Sequence, residues 1–282
     1  MLAIRLTILL LIGLSSAALA DRDIVYSGRY YAPPGSHRTT HSHVYRINPD
    51  GTGRTQLTFG STDDESPKWS PDGRKVTYYE DRGGASPLRL CEIDANGGNR
   101  RVLKVLSADW EPAPIPVPGY RLENQADDLK SRHVLIALAT GRRLTLPVPA
   151  HDDVSDALLP APGHDLLYAA NNHDSTVGTD YFFYRLNPDT GAMRYLTEGR
   201  FLAWSPDGSR FCMAPGRDTT SYEKRKEPLE TLKGASPYEI TQAQYRQVYS
   251  SPLFVRATAG GPLRQITPRL SFVTGADWRK VK

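Results

Sequence analysis

Two stretches of the sequence decide the fold: Lys68-Trp-Ser-Pro-Asp-Gly73 and Ala203-Trp-Ser-Pro-Asp-Gly208. Each copy is followed by a strand pattern, over residues 75–79 and 210–213. Because Pro fixes φ and Gly accepts a positive φ, Ser-Pro-Asp-Gly predicts a tight turn between two antiparallel strands. We interpret the Trp of each copy as a core residue packed between neighbouring sheets, not as a ligand-stacking aromatic.

A second series of segments predicts β-hairpins. In each segment two apolar runs flank a turn rich in Asn, Asp, Pro or Gly, which is typical of a hairpin. These hairpins cover residues 43–58, 88–103, 133–146, 181–197 and 252–267. Weaker copies of the Trp strand lie at residues 108–112, 158–163 and 276–278. Four antiparallel strands repeating about every 40 to 50 residues predict an all-β protein, a β-propeller of four-stranded blades.

The repeat count predicts five blades, with six as the alternative. Residues 21–282 are long enough for six blades of about 43 residues, but only five Trp-strand positions and five hairpins occur. The interval from Trp204 to Trp278 is about 30 residues longer than the others, which is too short for another blade. We therefore expect an insertion near residues 217–250, with a short helix begun by Ser236-Pro-Tyr-Glu239, a capping-box pattern.

The two ends of the chain predict how the ring closes. Trp278 lies on an inner strand with no partner strands after it, and residues 24–27 form a strand with no Trp strand before it. Pairing of the C-terminal strand with the N-terminal blade would complete that blade and leave no edge unpaired there.

The Trp-Ser-Pro-Asp-Gly turn, with the Asn48-Pro-Asp-Gly51 hairpin that ends in Leu57-Thr58, resembles the WD40-like (PD40) repeat of the TolB-type propellers. The resemblance covers roughly residues 22–282 and is strongest in two copies. It implies an exported, periplasmic, non-enzymatic propeller that binds partners. We expect no counterpart of the N-terminal domain of TolB, because the first predicted strand begins almost at residue 21.

Composition and the first segment predict where the protein works. With 282 residues, 39% hydrophobic and 23% charged, the chain is neither disordered nor a multi-pass membrane protein. Arg5, an apolar run over 6–14, and small residues at Ala18 and Ala20 predict a signal peptide over residues 1–20. An uncleaved anchor is the alternative. We expect residues 21–282 to be a single propeller domain, periplasmic or secreted, with no membrane span.

Charge and cysteine content add two expectations. A net charge of +4 is too small to indicate a nucleic-acid partner. Cys91 and Cys212 lie in different repeats and are predicted to be buried free thiols, with a disulfide as the alternative.

The longer and chemically richer loops are predicted to lie on one face, which we expect to be the binding surface. Acidic residues there would attract a cation or a basic peptide; the alternative is ordinary turn-forming acids. Tyrosines on the same loops would stack on peptides or sugars, or would only pack on the rim. The candidate partner-binding residues are Tyr30, Tyr31, Asp63, Asp64, Glu65, Asp152, Asp153, Asp156, Glu198 and Tyr222.

Metal binding and catalysis have less support. His41, His43, His151 and His173 are weaker candidate metal ligands, but their spacing matches no established motif, so we expect no cofactor. Gly-x-Ser-x-Gly, His-Glu-x-x-His and the phosphate loop are absent. The sequence favours a monomeric binding module for a protein, a peptide or an envelope glycan. The alternative is a lyase or hydrolase acting on a polysaccharide or peptide at the channel mouth.

Overall fold

The computed structural model describes residues 23–30, 41–84, 86–107, 117–127, 130–147, 157–172, 180–214, 251–268 and 271–280. Within these ranges all regular elements are β-strands, and no helix occurs. The predicted helical insertion near 217–250 lies outside the described residues. The all-β expectation is confirmed, and the strands pair antiparallel into small sheets.

The first two sheets contain four strands each. The first has the order β18-β1-β2-β3, formed by β1 (Ile24–Tyr30), β2 (His43–Ile47), β3 (Thr55–Gln56) and β18 (Ser271–Trp278). The second has the order β4-β5-β6-β7, formed by β4 (Asp63–Trp69), β5 (Lys75–Asp81), β6 (Arg89–Asp94) and β7 (Arg101–Val105).

The remaining strands form three further units. The third sheet pairs β8 (Tyr120–Asp127), β9 (Lys130–Ala137) and β10 (Arg143–Thr145). The fourth runs β11 (Ala157–Pro160), β12 (Leu166–Asn172), β13 (Asp180–Leu186) and β14 (Met193–Trp204). The long strand β14 continues into the fifth unit with β15 (Arg210–Ala214), β16 (Phe254–Ala257) and β17 (Arg264–Gln265). Its first half is thus the last strand of one sheet, and its second half is the inner strand of the next.

The first sheet joins the two ends of the described chain. Strand β18 pairs antiparallel with β1 from Ile24 opposite Trp278 to Tyr30 opposite Ser271. The pairing that the sequence predicted between C-terminal and N-terminal strands is therefore present.

The Ser-Pro-Asp-Gly segments form the predicted turns. Ser70 Oγ donates to Asp72 Oδ1 at 2.6 Å and accepts the Lys75 backbone N–H at 2.9 Å. Ser205 repeats both contacts, with Asp207 at 2.6 Å and the Arg210 N–H at 2.9 Å. In both turns the Ser-Asp pair is occupied in holding the backbone, as expected from turn chemistry.

The core lies between neighbouring sheets. Trp69 and Val76 of the second sheet pack with Val25 and Val44 of the first. On the other side of the first sheet, the fully buried Trp278 packs in a cluster with residues of the fifth unit. Similar clusters join the third and fourth sheets and the fourth and fifth. Trp69 and Trp278 thus belong to the inter-sheet core that the repeats predicted, and Trp204 packs against the cluster between the fourth and fifth units.

Glycines in the hairpin turns allow adjacent sheets to approach closely. Gly97 has φ +86°, and a Cβ there would lie 3.3 Å from the carbonyl oxygen of Leu57 in the preceding sheet. Gly51 has φ +83°, and its Cβ would lie 3.3 Å from the Ile266 carbonyl oxygen. Any other residue at these turns would strain the backbone and push the sheets apart.

The two cysteines are free and buried. Cys91 lies on β6 and Cys212 on β15, and neither thiol has any exposed surface. The expectation of two buried free thiols is confirmed.

Candidate functional site

One end of the molecule, which we call the loop face, gathers charged residues from three sheets. There β1 ends at Tyr30, β4 begins at Asp63 and β18 begins at Ser271. The pairing of Tyr30 with Ser271 places the end of β1 beside the start of β18. A hydrogen bond from Arg29 to Asp63 brings the start of β4 to the same end.

Bulges shape the inner strands just below this face. The pairing register shifts after Glu65 in β4 and after Phe201 in β14. In β18 the irregularity lies opposite Ser27 and Gly28. A bulge bends its strand and redirects the neighbouring side chains, and bulges are common beside functional sites.

Asp63 ties the first sheet to the second. Its Oδ1 accepts a hydrogen bond from Arg29 Nη2 at 3.1 Å and one from the Ser42 backbone N–H at 2.6 Å. His41 Nδ1 lies 3.7 Å from the same oxygen. Because Arg29 offsets its charge, Asp63 adds less negative potential to the loop face than the sequence implied.

Asp64 lies beneath the surface, with 2% of its area exposed. Its backbone N–H donates to the Ser42 carbonyl oxygen at 2.8 Å, and Ser27 Oγ donates to its carbonyl oxygen at 2.8 Å. His43 Nδ1 lies 3.5 Å from its carboxylate. The sequence proposed Asp64 as a partner contact, but alternation along β4 turns its side chain inward, where it supports the loops.

Glu65 presents a half-buried carboxylate at the loop face. Burial and the nearby charge of Asp63 raise its pKa, and Asp81 adds to the effect, whereas Arg29 and Arg200 oppose it. Among the described residues, the Glu65 carboxylate has no hydrogen bond and no direct ion pair, although the Glu65 backbone pairs with Tyr79. Within the described part of the chain, its carboxylate is therefore available to a ligand.

Arg200 brings a positive charge to the same place from β14. Its Nη2 donates to the Val273 carbonyl oxygen at 2.7 Å and to Ser251 Oγ at 3.2 Å. The guanidinium carbon lies 5.0 Å from the centre of the Phe272 ring. Burial lowers the pKa of Arg200, and the charge of Glu65 partly restores it. These contacts hold the guanidinium in a fixed position.

Tyr30 belongs to an aromatic cluster at the end of β1. Its hydroxyl is hydrogen-bonded to that of Tyr26, and its ring meets Tyr45 edge-on at 4.9 Å. The Arg54 guanidinium carbon lies 4.7 Å from the Tyr30 ring centre. One face of the Tyr30 ring is thus covered by Arg54, which reduces the surface that a sugar or peptide could stack on.

Several predicted residues fall outside the described part of the chain. Glu198 lies on β14, opposite Phe182, but only its backbone is described. The others are Tyr31, Asp152, Asp153, Asp156, Tyr222, His151 and His173.

The described histidines do not assemble a metal centre. His41 and His43 each approach a different carboxylate, Asp63 and Asp64 respectively. Over the described ranges no group of three or more His, Cys, Asp or Glu side chains converges to hold a metal ion.

Sequence reasoning missed the two arginines of the loop face, Arg29 and Arg200. A signal for Arg200 exists in the repeats: it lies four residues before Trp204, as Glu65 lies four residues before Trp69. Aligning the two copies at their Trp residues therefore predicts that Arg200 and Glu65 occupy equivalent positions. No comparable pattern marks Arg29, whose partner belongs to another sheet.

Comparisons with known proteins find TolB among the proteins to which this chain is similar. No protein-family model matches the chain. The Tol-Pal system protein TolB of Rhizorhabdus wittichii is 34% identical over 73 residues, which cover 26% of this chain and 14% of TolB. Solved structures similar to the chain include TolB from Acinetobacter baumannii, with a TM-score of 0.48 and 13% identity, over 93% of this chain and 67% of that one. The predicted resemblance to TolB is confirmed.

A second similar protein carries the name of a peptidase. Dipeptidyl-peptidase 5 of Porphyromonas gingivalis is 24% identical over 185 residues, covering 62% of this chain. The matched segment is 25% of that protein, so the chain spans about a quarter of its length. In the part of the chain that the structure describes, no helix has the length and apolar character needed to cross a membrane.

Proposed function

We propose that this protein is an exported, non-enzymatic propeller that binds a protein or peptide partner on its loop face. The observation that carries the proposal is the convergence of Arg29, Asp63, Glu65 and Arg200 from three sheets at one end of the molecule. Charged groups on a rigid scaffold give a surface that can select a partner by charge and hydrogen bonding. An envelope glycan is the other ligand class consistent with this surface.

The scaffold is proposed to be a closed ring of five blades, working as a monomer. Contacts between successive units support this arrangement: Gly51 meets Ile266 of the fifth unit, and Gly97 meets Leu57 of the first. Arg142 of the third sheet donates to the Pro188 carbonyl oxygen of the fourth at 2.7 Å. Closure would leave no exposed sheet edge at the junction of the chain ends.

We propose that the protein is exported, because residues 1–20 have the pattern of a signal peptide. The similarity to TolB is consistent with a periplasmic or secreted protein. The expected product is a mature chain that begins at Asp21. N-terminal sequencing of protein recovered from the periplasm or medium would show Asp21 first, whereas Met1 would contradict cleavage.

The binding proposal is tested by comparing two ion pairs at opposite ends of the molecule. Arg29 and Asp63 are 3.1 Å apart on the loop face, and Arg142 and Asp189 are 3.2 Å apart at the other end. Each pair joins two sheets, so the second pair is a control for the loss of an inter-sheet ion pair. Full-length tagged protein would be used to capture partners from envelope extract, with quantification by mass spectrometry.

We expect the double variant R29Q/D63N to lose the captured partner, while R142Q/D189N keeps it. Equal capture by both variants would contradict binding through the loop face. Thermal unfolding of both variants would show that any difference does not come from misfolding.

A second candidate function is hydrolysis or elimination at the same face. Glu65 favours it, since a half-buried carboxylate with a raised pKa beside Arg200 suits acid-base chemistry. Similarity to a dipeptidyl-peptidase makes peptides the first substrates to screen, followed by uronate oligosaccharides. Turnover that disappears in E65Q would favour an enzyme, and no turnover across both sets would favour the binding role.

A further inference from the structure

We propose that Arg200 is the anchor for a carboxylate of the bound peptide, either an acidic side chain or the C-terminal carboxyl group, and that Glu65 controls the strength of this contact. The inference rests on the proposed binding function. To that function the inference adds the chemical class of the group that is bound, a carboxylate, and the two residues that select this group. It also reverses the sign expected from the sequence, in which the acids of this face favoured a basic partner.

The geometry of Arg200 fits it to receive an anion. A guanidinium carries five N–H donors, and Nη2 uses both of its own on Val273 and Ser251. Among the described residues no group accepts a hydrogen bond from Nε or Nη1 of Arg200. Within the described structure three donors of this fixed, charged group therefore have no partner, and each would form a charge-assisted hydrogen bond with a ligand carboxylate.

The acids described around Arg200 form no direct ion pair with it. Asp63 is engaged by Arg29, and Asp64 is buried against His43. Glu65 acts on Arg200 through its charge, without a direct ion pair in the described structure. A ligand carboxylate would make the direct contact that Arg200 lacks. It would do so without displacing an existing ion pair.

Glu65 makes this contact depend on pH. Its charge repels an incoming carboxylate, and its raised pKa means that it takes up a proton at a higher pH than an ordinary glutamic acid. The charged groups facing it are Asp63, Asp81, Arg29 and Arg200. Once protonated, Glu65 no longer repels the ligand. Affinity for a carboxylate should therefore rise as the pH is lowered and Glu65 takes up its proton.

The test uses fluorescein-labelled octapeptide amides that differ only in charge: Ser-Gly-Asp-Ser-Gly-Asp-Ser-Gly, and the same sequence with Asn or Lys in place of Asp. A fourth peptide has the Asn sequence with a free C-terminal carboxyl group. Binding to the full-length protein would be measured by fluorescence anisotropy between pH 5.5 and 8. This range keeps the peptide carboxylates ionised.

We expect the Asp peptide to bind about tenfold or more tightly than the Asn amide, and R200Q to abolish the difference. E65Q should bind the Asp peptide more tightly than wild type at pH 8 and show a flatter pH profile. H41Q tests whether the neighbouring imidazole causes the pH effect, and its profile should match that of wild type. R101Q, on the exposed strand β7, is the control and should behave as wild type.

Three results would overturn the inference: preference for the Lys peptide, no binding of either carboxylate peptide, or undiminished preference for carboxylate in R200Q. A galacturonate disaccharide could bind through Arg200 when the peptides do not. That result would show that the carboxylate belongs to a glycan ligand, and it would overturn the peptide assignment. If R200Q is poorly folded, E65Q provides an independent test, because it changes neither the arginine nor its contacts. Partner capture that survives R200Q would contradict only this inference and leave the loop-face function intact.

Discussion

At the scale of single residues, buried ionic groups hold neighbouring strands together while leaving few charges free. Glu80 shows this most clearly, because its 5% exposed side chain meets the guanidinium groups of Arg82 and Arg100, with Arg89 at 3.9 Å. Burial alone would raise the pKa of Glu80, but the hydrogen bonds and charges of Arg82 and Arg100 outweigh it and lower the pKa below 4.5. The ionised form is therefore the stabilising one.

This predicts how stability varies with pH. The contribution of Glu80 is fully present above the pKa of the unfolded chain, near 4.5, and is lost as the pH falls through the lower folded value. We expect E80Q to lower the free energy of unfolding by about 2 kcal/mol at pH 7, with the loss shrinking below pH 4. Urea unfolding at several pH values measures this. E123Q, which removes a more exposed partner of Arg121 and Arg143, should cost under about 1 kcal/mol.

The cysteines give a second prediction at this scale. Burial raises the pKa of the Cys212 thiol to about 12 and also raises that of Cys91, so neither forms a reactive thiolate near neutral pH. A thiol reagent should leave the native protein unmodified and label two thiols after denaturation without reductant. Labelling of fewer than two would indicate a disulfide.

At the scale of elements, the stability of the first sheet depends on a strand from the far end of the chain. Strand β18 covers β1 over its whole length and supplies Trp278, one of the largest fully buried side chains. Asp277 adds a link to the second sheet, because its Oδ2 accepts the Trp69 backbone N–H at 2.9 Å. Losing this strand exposes core surface on one side and a sheet edge on the other.

Truncation tests the role of β18. Deleting residues 275–282 should lower the free energy of unfolding by at least about 3 to 5 kcal/mol, since removing a buried Trp alone costs that much. Thermal unfolding followed by circular dichroism would measure the loss. Deleting only residues 281–282 should change little. A melting temperature equal to that of the full chain after the larger deletion would contradict the pairing of β18 with β1.

The same scale shows what the sequence could and could not reveal. Turn chemistry and Trp spacing are local, so the strands around Trp69 and Trp204 and the role of Trp278 follow from short patterns. The Arg29–Asp63 pair could not be predicted in this way, because its members lie on different sheets. The alternation of side chains along β4 could have predicted that Asp64 points inward. A run of acidic residues, however, is typical of an exposed surface, and this favoured the wrong interpretation.

At the scale of the whole molecule, the described hairpin turns and the charged loop face lie at opposite ends. The turns that contain Gly51 and Gly97 bring neighbouring sheets into contact, while the other end gathers the charges of Arg29, Asp63, Glu65 and Arg200. The proposed ring, with its charges gathered on one face, would let a protein with a net charge of only +4 select a partner. The account therefore depends on which end of the molecule the partner meets.

Photo-crosslinking in living cells measures that directly. Phe59, 73% exposed, lies in the loop between β3 and β4 on the loop face, and Leu138, 58% exposed, lies in the hairpin turn at the opposite end. A benzoylphenylalanine placed at each position in the full-length protein samples the two ends with matched exposure and chemistry. The account predicts a specific crosslinked product from position 59 and none from position 138. The same product from position 138, and none from position 59, would contradict it.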